Sequence, residues 1–445
     1  MNPLRSLAHM QRPRMNVTSV RINVTSVRNI LVALICLSPV ILLWDGLIVH
    51  GLLSGLVAVA LALTALALRP GETAFLVSAT RALIIAAGVP VLWMIVQILP
   101  LHVLAHPMWK SAEGALLQAL APSMSIDPGA GIIALGQYLS MLALAFVSAA
   151  VAIDRQRAEW VLFALCAGTT LIAGLLLVHD VLFPGAWLGR FAQQQAIDCA
   201  ALGIIIAAAG CIRSIERYET RHSGQSLQIL GIFAAAIAIC AAALALSAGK
   251  QIIFAAILGL VALACIVIIR RFALGLFGIG GLAILSIGLA VILVAVQPTK
   301  SGSSVAVAFA ADSAESGLSQ RMLDDAPLVG IGAGTFAALA PIYRELDDPP
   351  PGPAATTASA WAIELGAPML WLIAAATVVG IVMLLRASLL RGRDSFYAAM
   401  AGGCLITMFL SAFINAGLLG TGAGLITATA IGLGVGQSKS RTAQA

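Results

Sequence analysis

Charged residues are scarce in this chain of 445 residues: Asp, Glu, Lys and Arg make up 10%, and the aromatic residues Phe, Trp and Tyr 6%. About a quarter of the residues of a soluble globular domain are charged, because its surface has to face water. Hydrophobic residues instead make up 60% of this chain, and its mean hydropathy is +1.02. These values exclude an ordinary soluble domain and indicate a protein whose surface mostly faces lipid.

Sequence patterns of several enzyme classes are also missing. The chain has no Cys-x-x-Cys pair, no Walker-type lysine and no Ser-His-Asp order of the kind found in hydrolases. Its seven cysteines fall inside predicted helices, where a thiol behaves as a small apolar residue. We therefore expect no disulfide, no metal site and no cofactor. The first apolar run also lacks the cleavage site of a secretory signal.

Apolar runs recur along the chain, each long enough to cross about 30 Å of hydrocarbon. They predict an all-α polytopic membrane protein with twelve transmembrane helices, at 29–48, 51–68, 79–101, 130–152, 158–179, 193–212, 229–247, 251–269, 273–296, 363–385, 396–414 and 418–436. The predicted organisation is a basic tail at 1–28, helices one to nine within 29–296, a long loop at 297–362, helices ten to twelve within 363–436, and a second tail at 437–445.

The placement of cations predicts the orientation, because cytoplasmic segments carry an excess of Lys and Arg. Nineteen of the 25 cations fall on the side of the N-terminus, and the other six are Lys110, Arg190, Lys250, Lys300, Arg321 and Arg344. We therefore expect both termini in the cytoplasm and the long loop on the outer side of the membrane. The net charge of +6 then belongs to a basic cytoplasmic face in contact with the bilayer, and nucleic acid is not an expected partner.

Two outer cations stand at predicted helix starts. Arg190 precedes three glutamines, 193–195, and Asp198, and such polar residues are costly in a membrane helix unless they face a cavity or water. Arginine has a fixed donor fork that suits phosphate oxygens. Lys250 begins the eighth helix between apolar segments, against the overall charge pattern. Phosphate binding is one interpretation of both cations, and anchoring at the lipid–water interface is the other.

The long loop contains Arg321, Asp325 and the glycines Gly330, Gly332 and Gly334. A nucleotide-binding loop is not expected, because no strand precedes the glycines and the loop is predicted outside the cell. Successive backbone amides in a glycine-rich loop are nevertheless able to bind a diphosphate. A hinge that folds the loop back on the helices is the alternative.

These residues resemble the bacterial O-antigen ligase and polymerase superfamily of membrane glycosyltransferases, over about residues 90–436. The early part of the resemblance includes Trp93, Gln97, Pro100, Asp127 and Pro128. Its most specific part is Asp325-Ala-Pro-Leu-Val-Gly330-Ile-Gly332-Ala-Gly334-Thr-Phe336, which is similar to the family motif Asp-x-Pro-Leu-x-Gly-x-Gly-x-Gly-x-Phe of the large periplasmic loop. Glu364 and Gly366 match a following Glu-x-Gly, whereas Ala355 and Thr356 stand where the family has its histidine.

The resemblance implies transfer of a glycan from an undecaprenyl-diphosphate donor to an acceptor hydroxyl in the periplasm. Arg190 and Arg321 occupy the places of two arginines that family members use on the donor, and Lys250 stands where many relatives have an arginine. Cations of this kind stabilise the leaving diphosphate through charge-assisted hydrogen bonds. With the histidine missing, the candidates for the base are Glu364, Asp324, Asp325 and Glu345.

The acceptor stays open at this point. Lipid A-core is the acceptor of a ligase, and a growing polysaccharide is the acceptor of a polymerase. The missing histidine favours the polymerase, whereas the frequency of the two in the family favours the ligase. A flippase or transporter and a noncatalytic assembly scaffold are the alternatives from other classes.

Overall fold

The computed structural model describes residues 24–118, 120–183, 187–221, 224–272, 304–310, 313–345, 353–391 and 394–439. These residues form α-helices and two short 3-10 helices, at His102–Leu104 and Gly417–Leu419. The α-helices are α1 Val24–Cys36, α2 Ser38–Leu43, α3 Leu47–Ala67, α4 Pro70–Ile98, α5 Met108–Leu116, α6 Pro128–Val151, α7 Arg155–Leu182, α8 Arg190–Arg221, α9 Gly224–Ser247, α10 Lys250–Arg271, α11 Val305–Ala308, α12 Ser313–Asp325, α13 Phe336–Leu339, α14 Thr357–Glu364, α15 Ala367–Leu390, α16 Phe396–Ser411 and α17 Thr421–Gly436.

Eight of the described helices are long and apolar enough to cross a membrane: α3, α4, α6, α7, α8, α9, α10 and α15. Three further apolar helices, α1, α16 and α17, are shorter, with 13, 16 and 16 residues. The all-helical, polytopic membrane architecture expected from the sequence is therefore confirmed, whereas the number of twelve spans stays a prediction. The predicted ninth span, 273–296, lies outside the described residues.

The predicted first span, 29–48, was wrong as a single helix. The chain forms α1 and α2 instead and leaves the helical conformation before α3. Pro39 has no backbone N–H, so it cannot donate to the carbonyl of Ile35 in an α-helical ladder. The hydroxyl of Ser38 donates to that carbonyl instead, at 2.7 Å.

α8 is the central helix of the bundle. In its candidate membrane span 78% of the residues are buried inside the protein, against 17% for α15 and 22% for α4. It packs against α7, α9, α10 and α16, so most of its surface contacts protein. Side chains of α8 therefore have to find their polar partners within the bundle.

The helix ends form two polar surfaces of different character. At one end, α7 and α9 end and α8 and α10 begin; we call this the Arg190 end. At the opposite end ion pairs join Arg155 of α7 to Asp394, which precedes α16, at 2.9 Å, and Arg271 of α10 to Glu219 of α8 at 2.7 Å. The sequence predicts that this second end is cytoplasmic.

The long loop is a folded unit rather than an open connection. Within it, α12 packs against α11 and α14, and a small core includes Leu318, Met322, Phe336 and Ile363. The backbone N–H of Thr357, at the start of α14, donates to the carbonyl of Asn415, which lies between α16 and α17. We refer to α11–α14 with their described connections as the loop unit.

Candidate functional site at the Arg190 end

An open depression of about 630 Å³ lies where α7 and α9 end and α8 begins. Its lining consists of His179, Asp180, Leu188, Gly189, Arg190, Gln193, Leu246 and Ser247. The volume is in the range of small-molecule sites, which lie between about 300 and 1,000 Å³. The first turn of α8, which contains Arg190 and Gln193, therefore opens on this depression.

A hydrogen bond joins two polar side chains of this depression, and a histidine lies beside them. The hydroxyl of Ser247 donates to Asp180 Oδ2 in a short contact, and His179 Nε2 lies 3.9 Å from Asp180 Oδ1. The ring of Trp187 meets the ring of His179 edge-on, with the centroids 5.7 Å apart. The sequence did not identify His179 and Asp180 as site residues, because they lie in the last turn of a largely apolar helix.

Arg190 and Lys250 are the first residues of α8 and α10, and both are exposed. Lys250 follows Ser247 of the depression by three residues, so the two cations lie at the same end of the bundle. A cation at a helix N-terminus is opposed by the helix dipole, at a typical cost of about 0.3–1 kcal/mol. Arg190 and Lys250 therefore both stand where the dipole of their own helix disfavours a positive charge.

The glycine motif of the loop unit forms a tight turn that packs against the residues before α15. Gly330, Gly332 and Gly334 have φ angles of +80°, +115° and +75°. A side chain at Gly330 would overlap the carbonyl of Glu364, and one at Gly332 would overlap the hydroxyl of Ser125. Each glycine is thus required both by its backbone conformation and by the close approach of another segment.

Several polar groups join this turn to the transmembrane helices. The Gln97 amide donates to the carbonyls of Val329 and Glu364, at 3.1 and 3.0 Å, and Trp93 Nε1 donates to the carbonyl of Leu365 at 2.9 Å. The sequence singled out Trp93 and Gln97 only through the family resemblance. Their hydrogen bonds attach the glycine turn and the residues before α15 to the end of α4.

The amides of the glycine turn have acceptors within the protein. The N–H of Gly330 donates to the carbonyl of Pro327 at 2.9 Å, and that of Gly332 donates to the carbonyl of Glu364 at 3.0 Å. The N–H of Phe336 donates to Glu364 Oε1 at 3.1 Å, and Gly334 donates to the same carboxyl group. The anion expected from the glycine pattern is, in this structure, the carboxylate of Glu364.

Glu364 lies at the end of α14, before the span formed by α15. Burial raises the pKa of its carboxyl group to about 7, although the amides of Gly334 and Phe336 favour the charged form. A carboxyl group with a pKa near neutrality is suited to accept a proton. Glu364 therefore meets one chemical requirement of a base.

Arg321 and Asp325 come together near the end of α12. Arg321 Nη1 lies 2.9 Å from Glu345 Oε1, and its Nε donates to the carbonyl of Tyr343 at 3.1 Å. Asp325 contacts the side chain of Tyr343, whose pKa is raised by burial and by this carboxylate. The four residues form one cluster in the loop unit, in which Asp325 and Glu345 are exposed.

The start of α8 is connected to the loop unit through Asn415. The side chain of Asn415 donates to Asp198 Oδ1 at 3.1 Å, and its carbonyl accepts from the N–H of Thr357 at 2.8 Å. Ser411 also donates to Asp198 Oδ1, in a short contact. Asp198, which the sequence identified as an unusual intramembrane charge, thus joins α8 to the connection between α16 and α17. The loop unit bonds to the same connection.

The position at which the family has its histidine is structural in this chain. Thr356 is the N-cap of α14: its hydroxyl accepts from the N–H of Ser359 at 2.9 Å and donates to the carbonyl of Ala306 at 2.6 Å. Ala355 is buried and donates its N–H to Ser319. Neither side chain is able to act as a base.

A second polar network near the start of α8 was missed in the sequence. His50 Nε2 lies 2.5 Å from Asp45 Oδ1, Thr421 donates to the same oxygen at 2.8 Å, and Gln195 donates to Asp45 Oδ2 at 2.9 Å. Gln137 contacts the other ring nitrogen of His50. Asp45 inside the predicted span 29–48, with His50 just beyond its end, was the available signal, because charges in such segments require partners.

A scan against protein-family models finds no match to this chain, and a search of curated proteins finds no significant match either.

Proposed function

We propose that this chain is a membrane glycosyltransferase of the O-antigen ligase and polymerase type. It transfers a glycan from an undecaprenyl-diphosphate donor to an acceptor hydroxyl on the periplasmic side of a bacterial inner membrane, with both termini in the cytoplasm. The observation that carries this proposal is the pair of cations at the Arg190 end, beside an open depression. The connection of the start of α8 to the loop unit through Asn415 supports it further.

In the proposed reaction, the bond between the anomeric carbon of the glycan and the diphosphate oxygen breaks, and a bond from the acceptor oxygen to that carbon forms. The departing diphosphate gains negative charge, which Arg190 and Lys250 stabilise together with Arg321 of the loop unit. The proton of the acceptor hydroxyl passes to a carboxylate. Glu364, with its pKa of about 7, and the exposed Asp325 are the candidates.

The proposed acceptor is lipid A-core, as for a ligase, and the alternative is a growing polysaccharide, as for a polymerase. Both reactions use the same donor and release the same undecaprenyl diphosphate. The glycine turn Gly330–Gly334 serves in both to hold the loop unit against α4 and α15. For the amides of the glycine turn to bind the diphosphate, their hydrogen bonds to Glu364 would have to break.

The test is deletion of the gene, followed by gel analysis of the surface polysaccharides. Unligated lipid-linked chains would indicate a ligase, single-repeat species a polymerase, and an unchanged profile would refute the proposal. Complementation with Arg190→Ala is expected to fail. Arg386→Ala is the matched control, because Arg386 is exposed and lies near the C-terminal end of α15. This variant is expected to restore the wild-type profile.

A further inference from the structure

The depression at the Arg190 end contains a carboxylate as well as a cation. Asp180 and Arg190 both belong to its lining. A site for a phosphate alone would gain nothing from Asp180, because the two negative charges repel each other. The lining therefore fits a ligand that carries hydroxyl groups beside its anionic group.

Asp180 is placed at a cost to its own helix. It lies in the last turn of α7, where the carbonyl end of the helix dipole disfavours a negative charge. Arg190 is the first residue of α8, where the positive, N-terminal end of the helix dipole disfavours a positive charge. Residues that reduce local stability in this way are typical of functional sites.

The neighbours of Asp180 leave it able to accept hydrogen bonds from a ligand. Its side chain is 20% exposed; Ser247 donates to Oδ2, while His179 Nε2 is 3.9 Å from Oδ1, beyond hydrogen-bonding distance. The Ser247 oxygen, which donates its proton to Asp180, keeps lone pairs that can accept. The Gln193 amide, in the same lining, offers both a donor and an acceptor.

Such a set of donors and acceptors matches a sugar, whose hydroxyl groups both donate and accept. We propose that Asp180, Ser247 and Gln193 bind the hydroxyl groups of the first sugar of the donor, while Arg190 binds the adjoining diphosphate. This inference rests on the proposed function and assigns recognition of the sugar to residues at the ends of α7, α8 and α9. Asp180 is then a specificity-determining residue.

The experiment measures binding to the purified full chain in lipid nanodiscs. The probes are farnesyl diphosphate and farnesyl-diphosphate-linked glucose, galactose, N-acetylglucosamine and rhamnose. Asp180→Asn is expected to weaken at least one sugar-bearing probe about tenfold, the loss typical of one hydrogen bond to a charged group. Farnesyl diphosphate is expected to bind as tightly as before or more tightly, because a repelling charge is removed. Ser247→Ala is expected to act in the same direction, and Arg190→Ala to weaken all probes.

The control is Asp127→Asn, which changes an exposed carboxylate at the start of α6 and keeps a good helix cap. Equal losses on all probes in Asp180→Asn, or no loss on any of them, would overturn the inference. The proposed function fails by a different result, an unchanged polysaccharide profile after gene deletion. A difference between the sugar-bearing and sugar-free probes would survive that result, so the two failures are distinguishable.

Discussion

The stability of the protein should depend on the protonation of Glu364, because burial raises the pKa of this carboxyl group from its ordinary value of 4.5 to about 7. The folded state then binds the proton more tightly than the unfolded state does. Its contribution to stability is present below pH 4.5 and is lost as the pH rises to about 7. The difference between the two pKa values corresponds to about 3 kcal/mol.

The variant Glu364→Gln isolates this contribution. Gln keeps the shape of the side chain and an oxygen that accepts from the N–H of Phe336, but it does not titrate in this range. Thermal unfolding in detergent, measured between pH 4.5 and 8, should show the wild type losing roughly 3–6 °C more than the variant across that range. All other titrating groups are common to both proteins, so the difference between the two curves reports Glu364.

Glu345→Gln is the matched control, because Glu345 is 69% exposed and its surface ion pair with Arg321 contributes only about 0–1 kcal/mol. Its melting curve should follow that of the wild type at every pH. Parallel curves for wild type and Glu364→Gln would refute the reasoning, since they would mean that Glu364 has an ordinary pKa in the folded protein.

Three further variants test the glycine turn and the cations. Gly332→Ala should lower the melting temperature by several degrees, because a φ of +115° disfavours a side chain and the new methyl group would overlap Ser125. Gly136→Ala is the control and should not lower the melting temperature, because a methyl group at Gly136 would have no neighbour within 4 Å. Arg321→Ala should abolish glycan product in the complemented deletion strain without changing expression or membrane insertion, and a wild-type glycan level would remove Arg321 from the site. Arg190→Lys should reduce transfer at least about tenfold if the donor fork is needed, and full activity would mean that charge alone matters.

The transmembrane helices were predictable because each depends on local composition. α3, α7, α9 and α10 all follow runs of apolar residues that overlap the predicted spans, and every one of them is long enough to cross the bilayer. The break between α1 and α2 was missed, because the apolar run continues through Pro39. This proline has no backbone N–H to continue the hydrogen bonds of α1, so a new helix begins there.

The two cations at the Arg190 end were predictable for a different reason. A charge that violates the pattern of its neighbours is visible in one sequence, and both Arg190 and Lys250 do so. The depression itself was not predictable. Asp180 and Ser247 are 67 positions apart in the chain, and only the packing of α7 against α9 brings them together.

The glycine turn illustrates the limit of a motif. Its three glycines adopt backbone conformations that other residues avoid. The sequence could not tell whether the amides face a ligand or the protein, because Glu364, the acceptor for Gly332 and Gly334, lies 30 or more positions further along the chain than either glycine.

The most direct test of the proposed activity is release of undecaprenyl diphosphate in a reconstituted system. Purified protein would be inserted into liposomes with the lipid-linked glycan extracted from the deletion strain and with either acceptor, lipid A-core or a second lipid-linked glycan. We expect the wild type to release undecaprenyl diphosphate with one of the two acceptors and Arg190→Ala to release none. No release from the wild type with either acceptor, or equal release from Arg190→Ala, would contradict glycosyl transfer at the Arg190 end.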